Sequence, residues 1–479
     1  MGGRAQEQLT EDSQDLDQSV LLHRNLKELP PTMVREEGNY FWLEDGRKIF
    51  DAATGAAVVC MGYHNARINE ALVRQIQEGP MYCPQLSYRT HIGEKYGREL
   101  INSTDGKMSL VSFYSSGSEA SEASYKCAWQ YHREVDKDSK RNIFIAREHS
   151  YHGNTLFALS VSGHKARRAM YEDTLAENVA RVSAYNPYFK RRPYETEDQY
   201  TDRMLDELKT KFETHLGKVV AFVAEPIVGA ALGCVPAAAR YWKGVRALCD
   251  QHGALLLFDE VMCGMGRCGT LHAWQHPDVG VVPDIQTVGK GLGGGFPISG
   301  MLLNHRVAKA FKKGSGEFAH GHTYQGNPLG CAAGLEVLKI IEDENLLENV
   351  TRMGELLHQC LEDSIGSHPN VGYLPGKGLF RGIIFVEDKA GRQPFHPERK
   401  IATKFMDFAQ REPYLLKVYA GSGSKDGYCG DHALLAPAYN ITEDDVYHIV
   451  TQLTMAINDF FVLEEENKRL QMLKHAQHL

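Results

Sequence analysis

Five short apolar runs, at 142–146, 219–224, 254–258, 285–288 and 298–303, constrain this chain more than any other feature. Apolar character without polar alternation is what a strand needs when both of its faces are covered. Several of the runs are separated by stretches with helical periodicity. Strands that alternate with helices place those helices on the two faces of one sheet, and such a sheet is largely parallel. A sixth strand-like run, 110–114, precedes them, and helical periodicity dominates 67–135. Upstream, 38–60 reads as short strands around a turn at Asp45-Gly46. The stretch 195–216 reads as a charged, solvated helix. From about 340 the order changes. A helix is followed by two strands near 371–387, a helix near 398–411, a Gly/Ser/Asp-rich loop at 421–431, a strand at 433–436 and a last helix. A domain boundary is expected near 335–350.

Composition narrows the function classes. Over 479 residues, 53 Lys and Arg face 61 Asp and Glu, a net charge of −8. That balance argues against a nucleic-acid partner, which calls for a basic excess or stripe. No run approaches ~18 uncharged apolar residues, so no membrane span is expected. The start, MGGRAQEQLTEDSQ, is polar and has no apolar core of a secretory signal. Gln6 stands where a myristoylation motif needs Ser or Thr. The ten cysteines form no C-x-x-C pair, and no H-E-x-x-H or Cys/His cluster points to a metal. A cytoplasmic protein with reduced thiols and no bound metal is expected.

Three places can carry chemistry. Ser115-Ser116-Gly117-Ser118-Glu119-Ala120 follows the 110–114 run and opens a helix with apolar positions at 120, 123, 127 and 131. A glycine- and hydroxyl-rich turn at a helix N-terminus suits a phosphate, because free N–H groups and the helix dipole point at it. The plainer alternative is an ordinary N-cap by Ser116 or Ser118. In Leu257-Phe258-Asp259-Glu260 two carboxylates end a buried strand, where open α/β sheets bind ligands; the alternative is a loop cap. In Val288-Gly289-Lys290-Gly291 a lysine ends another such strand between glycines. An amine in that water-poor place has a lowered pKa and is nucleophilic, although most lysines are surface residues. Two G-x-G-x-x-G matches, 264–269 and 289–294, do not open a helix inside a βαβ unit and are no dinucleotide site. A phosphate cradle, a strand-end acid and a strand-end lysine together suit pyridoxal 5′-phosphate (PLP). It needs an amine for its Schiff base, an acid at its pyridine nitrogen and a helix N-terminus for its phosphate.

At this point the chain resembles the class III (subgroup II, omega-type) aminotransferases of fold type I, over about 38–455. The resemblance rests on S-S-G-S-E-A (115–120), S-Y-H-G (150–153), A-E-P-I-V-G (224–229), L-F-D-E-V-M-C-G-M-G-R (257–267), G-K-G-L-G-G-G-F-P-I-S-G (289–300) and H-T-Y-Q-G-N-P-L (322–329). It implies a mostly parallel seven-stranded sheet in a large PLP-binding domain at 81–340. A small α+β domain is built from 31–80 and 341–479; the polar stretch 1–30, outside the resemblance, is expected to be a flexible arm. It implies that Lys290 carries PLP covalently and that Asp259 pairs with the pyridine nitrogen. Gly117 and Ser118 hold the phosphate, Tyr151 stacks on the ring, and Val261 touches the cofactor. Glu225 supports Asp259 or its loop. Thr323 reaches the phosphate in a neighbouring subunit, so a homodimer with shared active sites is implied. The implied activity moves an amino group from an amine or omega-amino donor to a keto acid, ketone or aldehyde by a ping-pong mechanism. Other PLP reactions on this scaffold (decarboxylation, elimination, racemisation, amino migration) share these residues, and a non-catalytic relative is the rival from another class.

Some positions depart from the family pattern. Met262 stands where many relatives have glutamine, and Leu434 stands where an arginine for the α-carboxylate often precedes the C-terminal proline. Tyr63-His64-Asn65-Ala66 replaces H-x-H-P, and Gly266-Arg267-Cys268-Gly269 replaces G-R-T-G. Arg381 and Arg411 are candidate replacements for the carboxylate clamp, with the surface reading favoured for both.

Overall fold

A computed structural model describes residues 19–476. The expected arm at 1–30 therefore lies mostly outside the described residues; 19–30 run without helix or strand.

The apolar runs assemble into one seven-stranded sheet. Its order is Met108–Tyr114, Ser299–Asn304, Ile285–Val288, Leu255–Asp259, Val219–Ala224, Ile143–Arg147 and Val179–Val182. Ser299–Asn304 pairs antiparallel with both of its neighbours, and the pairs from Ile285–Val288 to Val179–Val182 are parallel. All strands but one thus point the same way, as a largely parallel sheet requires. The central strands Val219–Ala224 and Leu255–Asp259 are buried along their whole length. That burial accounts for their apolar runs. Helices Gly117–Val135 and Ala239–Gln251 bury Ala120, Ala123, Cys127 and Ala128, and Tyr241, Trp242 and Val245, in two separate apolar clusters that share the sheet's strands.

The expected solvated helix is Glu197–Thr214, and it is amphipathic instead. Tyr200, Met204, Leu208 and Phe212 recur every four residues and are buried against the sheet. The many charges on its other side hid that stripe.

Two further sheets involve the chain ends. Met33–Glu37, Tyr40–Leu43 and Lys48–Asp51 form an antiparallel meander, and Leu416–Lys417 adds parallel to its last strand. Val371–Tyr373, Phe380–Phe385, His432–Leu435 and Tyr419–Gly421 form an antiparallel sheet. The last helix, Glu443–Ala476, is long and apolar enough over Glu443–Leu470 to match a membrane span by length and composition. Its Val446, Ile449, Leu453, Ile457 and Phe460 pack with Ile383, Phe385 and Phe405 in one core cluster, which accounts for that hydropathy.

Candidate active site

Six of the seven strands share a direction, so their carboxyl ends lie along one edge. Ligands bind beyond such an edge in open α/β sheets. The segments starting at Ser115, Ser150, Glu225, Asp259 and Gly289 all leave strands there. Gly117, Ser118, Tyr151, His152, Gly153, Glu225, Ala230, Asp259, Val261, Met262 and Lys290 line one cavity of about 170 Å³. Of the residues predicted from sequence for the site, all but Thr323 line this cavity. Thr323 is exposed, on a loop tied to the start of the Gly117–Val135 helix by the His322 Nε2 to Glu119 Oε1 contact of 2.8 Å.

The helix start resolves into two functions. Ser116 is the cap: its hydroxyl accepts from the Glu119 amide at 3.3 Å, and the Glu119 carboxylate accepts from the Ser116 amide at 2.8 Å. Ser118 is spared for the cavity, and its hydroxyl accepts from the Asn154 amide at 3.0 Å. Gly117 is required by close approach. A Cβ there would come within 2.7 Å of the Val261 side chain. Val261 in turn donates its amide to Asp259 Oδ1 at 3.0 Å.

Asp259 is buried at the end of its strand, and His152 Nδ1 lies 2.8 Å from its Oδ2. With the carboxylate ionised, Nδ1 is the donor. His152 Nε2 is also buried and, among the described residues, has no partner. The sequence reading gave no role to His152; its place between Tyr151 and Gly153 in the S-Y-H-G stretch was the available signal. Glu225 does not bond Asp259. It clasps the Tyr151 and Gly229 amides, each at 3.1 Å, so it shapes the Tyr151 loop instead. Burial raises its pKa above the usual carboxylate value. The second acid of the Asp259-Glu260 pair is turned elsewhere. Glu260 accepts from Ala273 N at 2.7 Å, Trp274 N at 3.0 Å and Gln286 Nε2 at 2.8 Å, and burial pushes its pKa up to about 8.

Lys290 follows the neighbouring strand, where Thr287 pairs with Asp259 in register. Burial pulls its pKa down to about 8, against the opposing pull of the Asp259 and Glu225 charges. Its φ of 47° is left-handed, a conformation that costs a non-glycine residue about 1–2 kcal/mol. The strain sits at the residue whose amine the cavity needs.

The two candidate clamps are placed elsewhere. Arg381 donates to the Gly378, Gly376 and Gly354 carbonyls at 3.0, 3.1 and 2.9 Å and is spent on local structure. Arg411 is exposed, with its guanidinium 5.8 Å from the Phe408 ring centre. Leu434 is fully buried in an apolar cluster with Met262, Ala230 and Phe380, beside the cavity wall.

A strand-edge lysine, a buried acid one strand away and a glycine-serine helix start that lines the same cavity define a PLP-dependent transferase of fold type I. The comparisons narrow that class. The sequence profile of the family Aminotransferase class-III matches residues 22–457. The chain is 46% identical over 442 residues to an aminotransferase of Gibberella zeae, covering 91% of this chain and 86% of that protein. It is 30% identical over 455 residues to gamma aminobutyrate transaminase 3 (chloroplastic) of Solanum lycopersicum, covering 93% and 84%. The structure of an amine transaminase from an uncultivated Pseudomonas species, in its PLP-bound form, superposes with a TM-score of 0.82 at 29% identity, covering 91% of this chain and 96% of that one. The chain belongs to the class-III aminotransferases, which are PLP-dependent. Its residues fit the cofactor: the Gly117 cradle would be filled by a Cβ, the Gly117 and Ser118 amides start a helix, and Lys290 and Asp259 share one cavity.

Proposed function

We propose that this chain transfers amino groups in a ping-pong cycle, from donors whose amine carbon bears no carboxylate to a carbonyl acceptor. The observation that carries the transfer chemistry is the shared cavity of Lys290 and Asp259, with burial pulling the amine's pKa down to about 8. PLP, when bound, supplies an electron sink for charge that develops at the substrate carbon. Lys290 would hold it through its amine, and the same amine is placed to move a proton off and onto the substrate carbon. Asp259 holds a proton at the pyridine nitrogen, and His152 fixes the orientation of the Asp259 carboxylate. Gly117 and Ser118 present N–H and O–H donors to the phosphate, and Val261 holds Gly117 in place. Tyr151 would cover the ring, and Glu225 fixes the Tyr151 loop. Burial of these groups keeps water out and strengthens each charge interaction.

Leu434 and Met262 support the donor reading. A carboxylate placed against their apolar cluster would be desolvated without a partner, which costs several kcal/mol. The test is a set of single half-reactions, mixing the PLP form with one donor at a time and following its visible absorbance. Terminal amines and omega-amino acids are expected to react at least about tenfold faster than glutamate, a difference of ~1.4 kcal/mol in barrier. Glutamate reacting faster than both would move the carboxylate clamp to another residue and overturn the Leu434 argument.

We further propose a homodimer in the cytoplasm. Thr323 is exposed and lies outside the lining of its own chain's cavity, as expected if it serves the partner's phosphate. Met81, Tyr82, Leu86, Tyr88 and Tyr324 are large and exposed, and Tyr82 meets Tyr324 edge-on at 6.1 Å, so an apolar surface surrounds that loop. Inactive Lys290→Ala and impaired Thr323→Ala subunits, unfolded and refolded together, are expected to regain activity, because one site of each mixed dimer then carries neither lesion. An active monomer in sedimentation would remove this reading. The cytoplasmic placement rests on the ten cysteines, none of which is paired.

A further inference from the structure

A carboxylate-bearing substrate needs a cation at the cavity, and nearly every arginine around it is already bound. Arg147 donates to the Glu225 carbonyl and lies over the Trp242 ring. Arg267 donates to the Leu379 and Pro437 carbonyls. Arg168 donates to the Leu159, Ser160 and Ser162 carbonyls and to Glu172. Arg181 donates to the Ser160 and Ser162 carbonyls.

Arg167 differs from all of these. Its guanidinium carbon lies 4.4 Å from the centre of the Tyr151 ring, and Tyr151 lines the cavity. Among the described residues no oxygen accepts from that guanidinium, and it is only partly exposed. Its place is fixed by its neighbour, since the four contacts of Arg168 pin the Lys165–Arg168 turn. Stacking on Tyr151 holds the planar group while leaving its N–H edge free for a bidentate acceptor. The positive charge is felt inside the cavity, where it opposes protonation of Lys290. The charge of Arg24 also reaches Tyr151 with the same sign.

We propose that Arg167 is the carboxylate receptor of this active site, and that the substrate it selects is an omega-amino acid, whose carboxylate lies several bonds from the reacting amine. The two features are then complementary. The apolar lining at Met262 and Ala230, backed by the buried Leu434, rejects a carboxylate on the amine carbon, and Arg167, against Tyr151, accepts one farther out. This rests on the transaminase reading above.

The test uses holoenzyme and the pair 4-aminobutyrate and butylamine, which differ only by the carboxylate. In Arg167→Met the ratio of their half-reaction rates is expected to fall about 10–100-fold, the worth of a lost charge-assisted bond. Arg167→Lys, which keeps the charge but loses the fork, is expected to retain part of that ratio. Calorimetric binding of butyrate, which cannot react, is expected to weaken by a similar factor in Arg167→Met. A ratio within about threefold of the natural chain together with unchanged butyrate affinity overturns the proposal. So does a variant whose only defect is weaker PLP retention, since Arg167 would then serve the cofactor phosphate. If the natural chain transfers an amino group from neither donor, the transaminase reading fails, and butyrate binding alone still decides whether Arg167 holds a carboxylate.

Discussion

Lys290→Ala is expected to retain PLP without a covalent bond and to lose at least about 10⁴-fold in turnover, the upper range for a positioned proton-transfer group. Two losses combine. No amine remains to be displaced by the donor, and no base remains at the substrate carbon. The fold should survive. Alanine adopts the same left-handed φ of 47° at similar cost, so the strain is unchanged and no buried polar partner is orphaned. Deleting the amine also removes a group whose pKa burial depresses to about 8. A basic group depressed in the folded state opposes folding while it is protonated; this penalty is full below about 8 and fades as pH rises from about 8 towards the ordinary lysine value of 10.5. The variant is therefore expected to be no less stable than the natural chain below pH 8. Borohydride reduction followed by peptide mapping is the check. In the natural chain the label should fall on Lys290, and in the variant no lysine should be labelled. A label on any other lysine of the natural chain would place the covalent site elsewhere.

The sequence reading and the structure agree best where one residue type has one physical use. A six-residue apolar run such as Val219–Ala224 has no alternative to a doubly covered strand, and the structure buries all of it. Gly117, Ser118, Asp259 and Lys290 were legible because each lies within a few residues of the end of such a run, whereas Tyr151, Glu225 and Val261 came only from the family resemblance; one sheet edge gathers all seven. Strand direction was less legible. The apolar run at 298–303 carries no direction, although the short link from Lys290 to Ile298 holds too few residues for a helical crossover and points to an antiparallel return. Val179–Val182 was missed because Arg181 interrupts it, and only the fold shows that this arginine is spent on the Ser160 and Ser162 carbonyls.

Arginines and acids divide in the same way. Sequence alone offers Arg381 as a candidate clamp with a surface arginine favoured, whereas the residue is buried, and it sets Glu260 beside Asp259. Three carbonyls around Arg381 and three donors around Glu260 make both structural. Such saturation depends on groups up to 26 or 27 residues away whose approach only the fold sets, which no local motif records. Arg167 carried no motif at all. It stands out only because its neighbours are saturated and it is not.

Asp259→Ala is expected to cut turnover by about 10²–10⁴-fold while leaving the covalent bond at Lys290 intact. The carboxylate is proposed to keep the pyridine nitrogen protonated, and an unprotonated ring is a weak electron sink. The loss follows from position as well as charge. Asp259 is held from three sides, by His152 Nδ1 at 2.8 Å, by the Val261 amide at 3.0 Å and by the Thr287 hydroxyl at 3.4 Å. Glu260 is its neighbour in sequence but is clasped by three donors of its own and cannot swing in as a substitute. A second effect has the opposite reach and a fixed sign. Asp259 is the largest charge that holds the Lys290 ammonium against burial. Its removal should therefore lower the Lys290 pKa below about 8, and the amine of the cofactor-free chain should become reactive at lower pH than in the natural chain. Acetic anhydride labelling of Lys290 across a pH series, read by mass spectrometry, measures that midpoint separately from turnover. Near-natural turnover would show that another group protonates the ring. A Lys290 midpoint that stays put or rises would mean that the Asp259 carboxylate is uncharged or does not reach the amine.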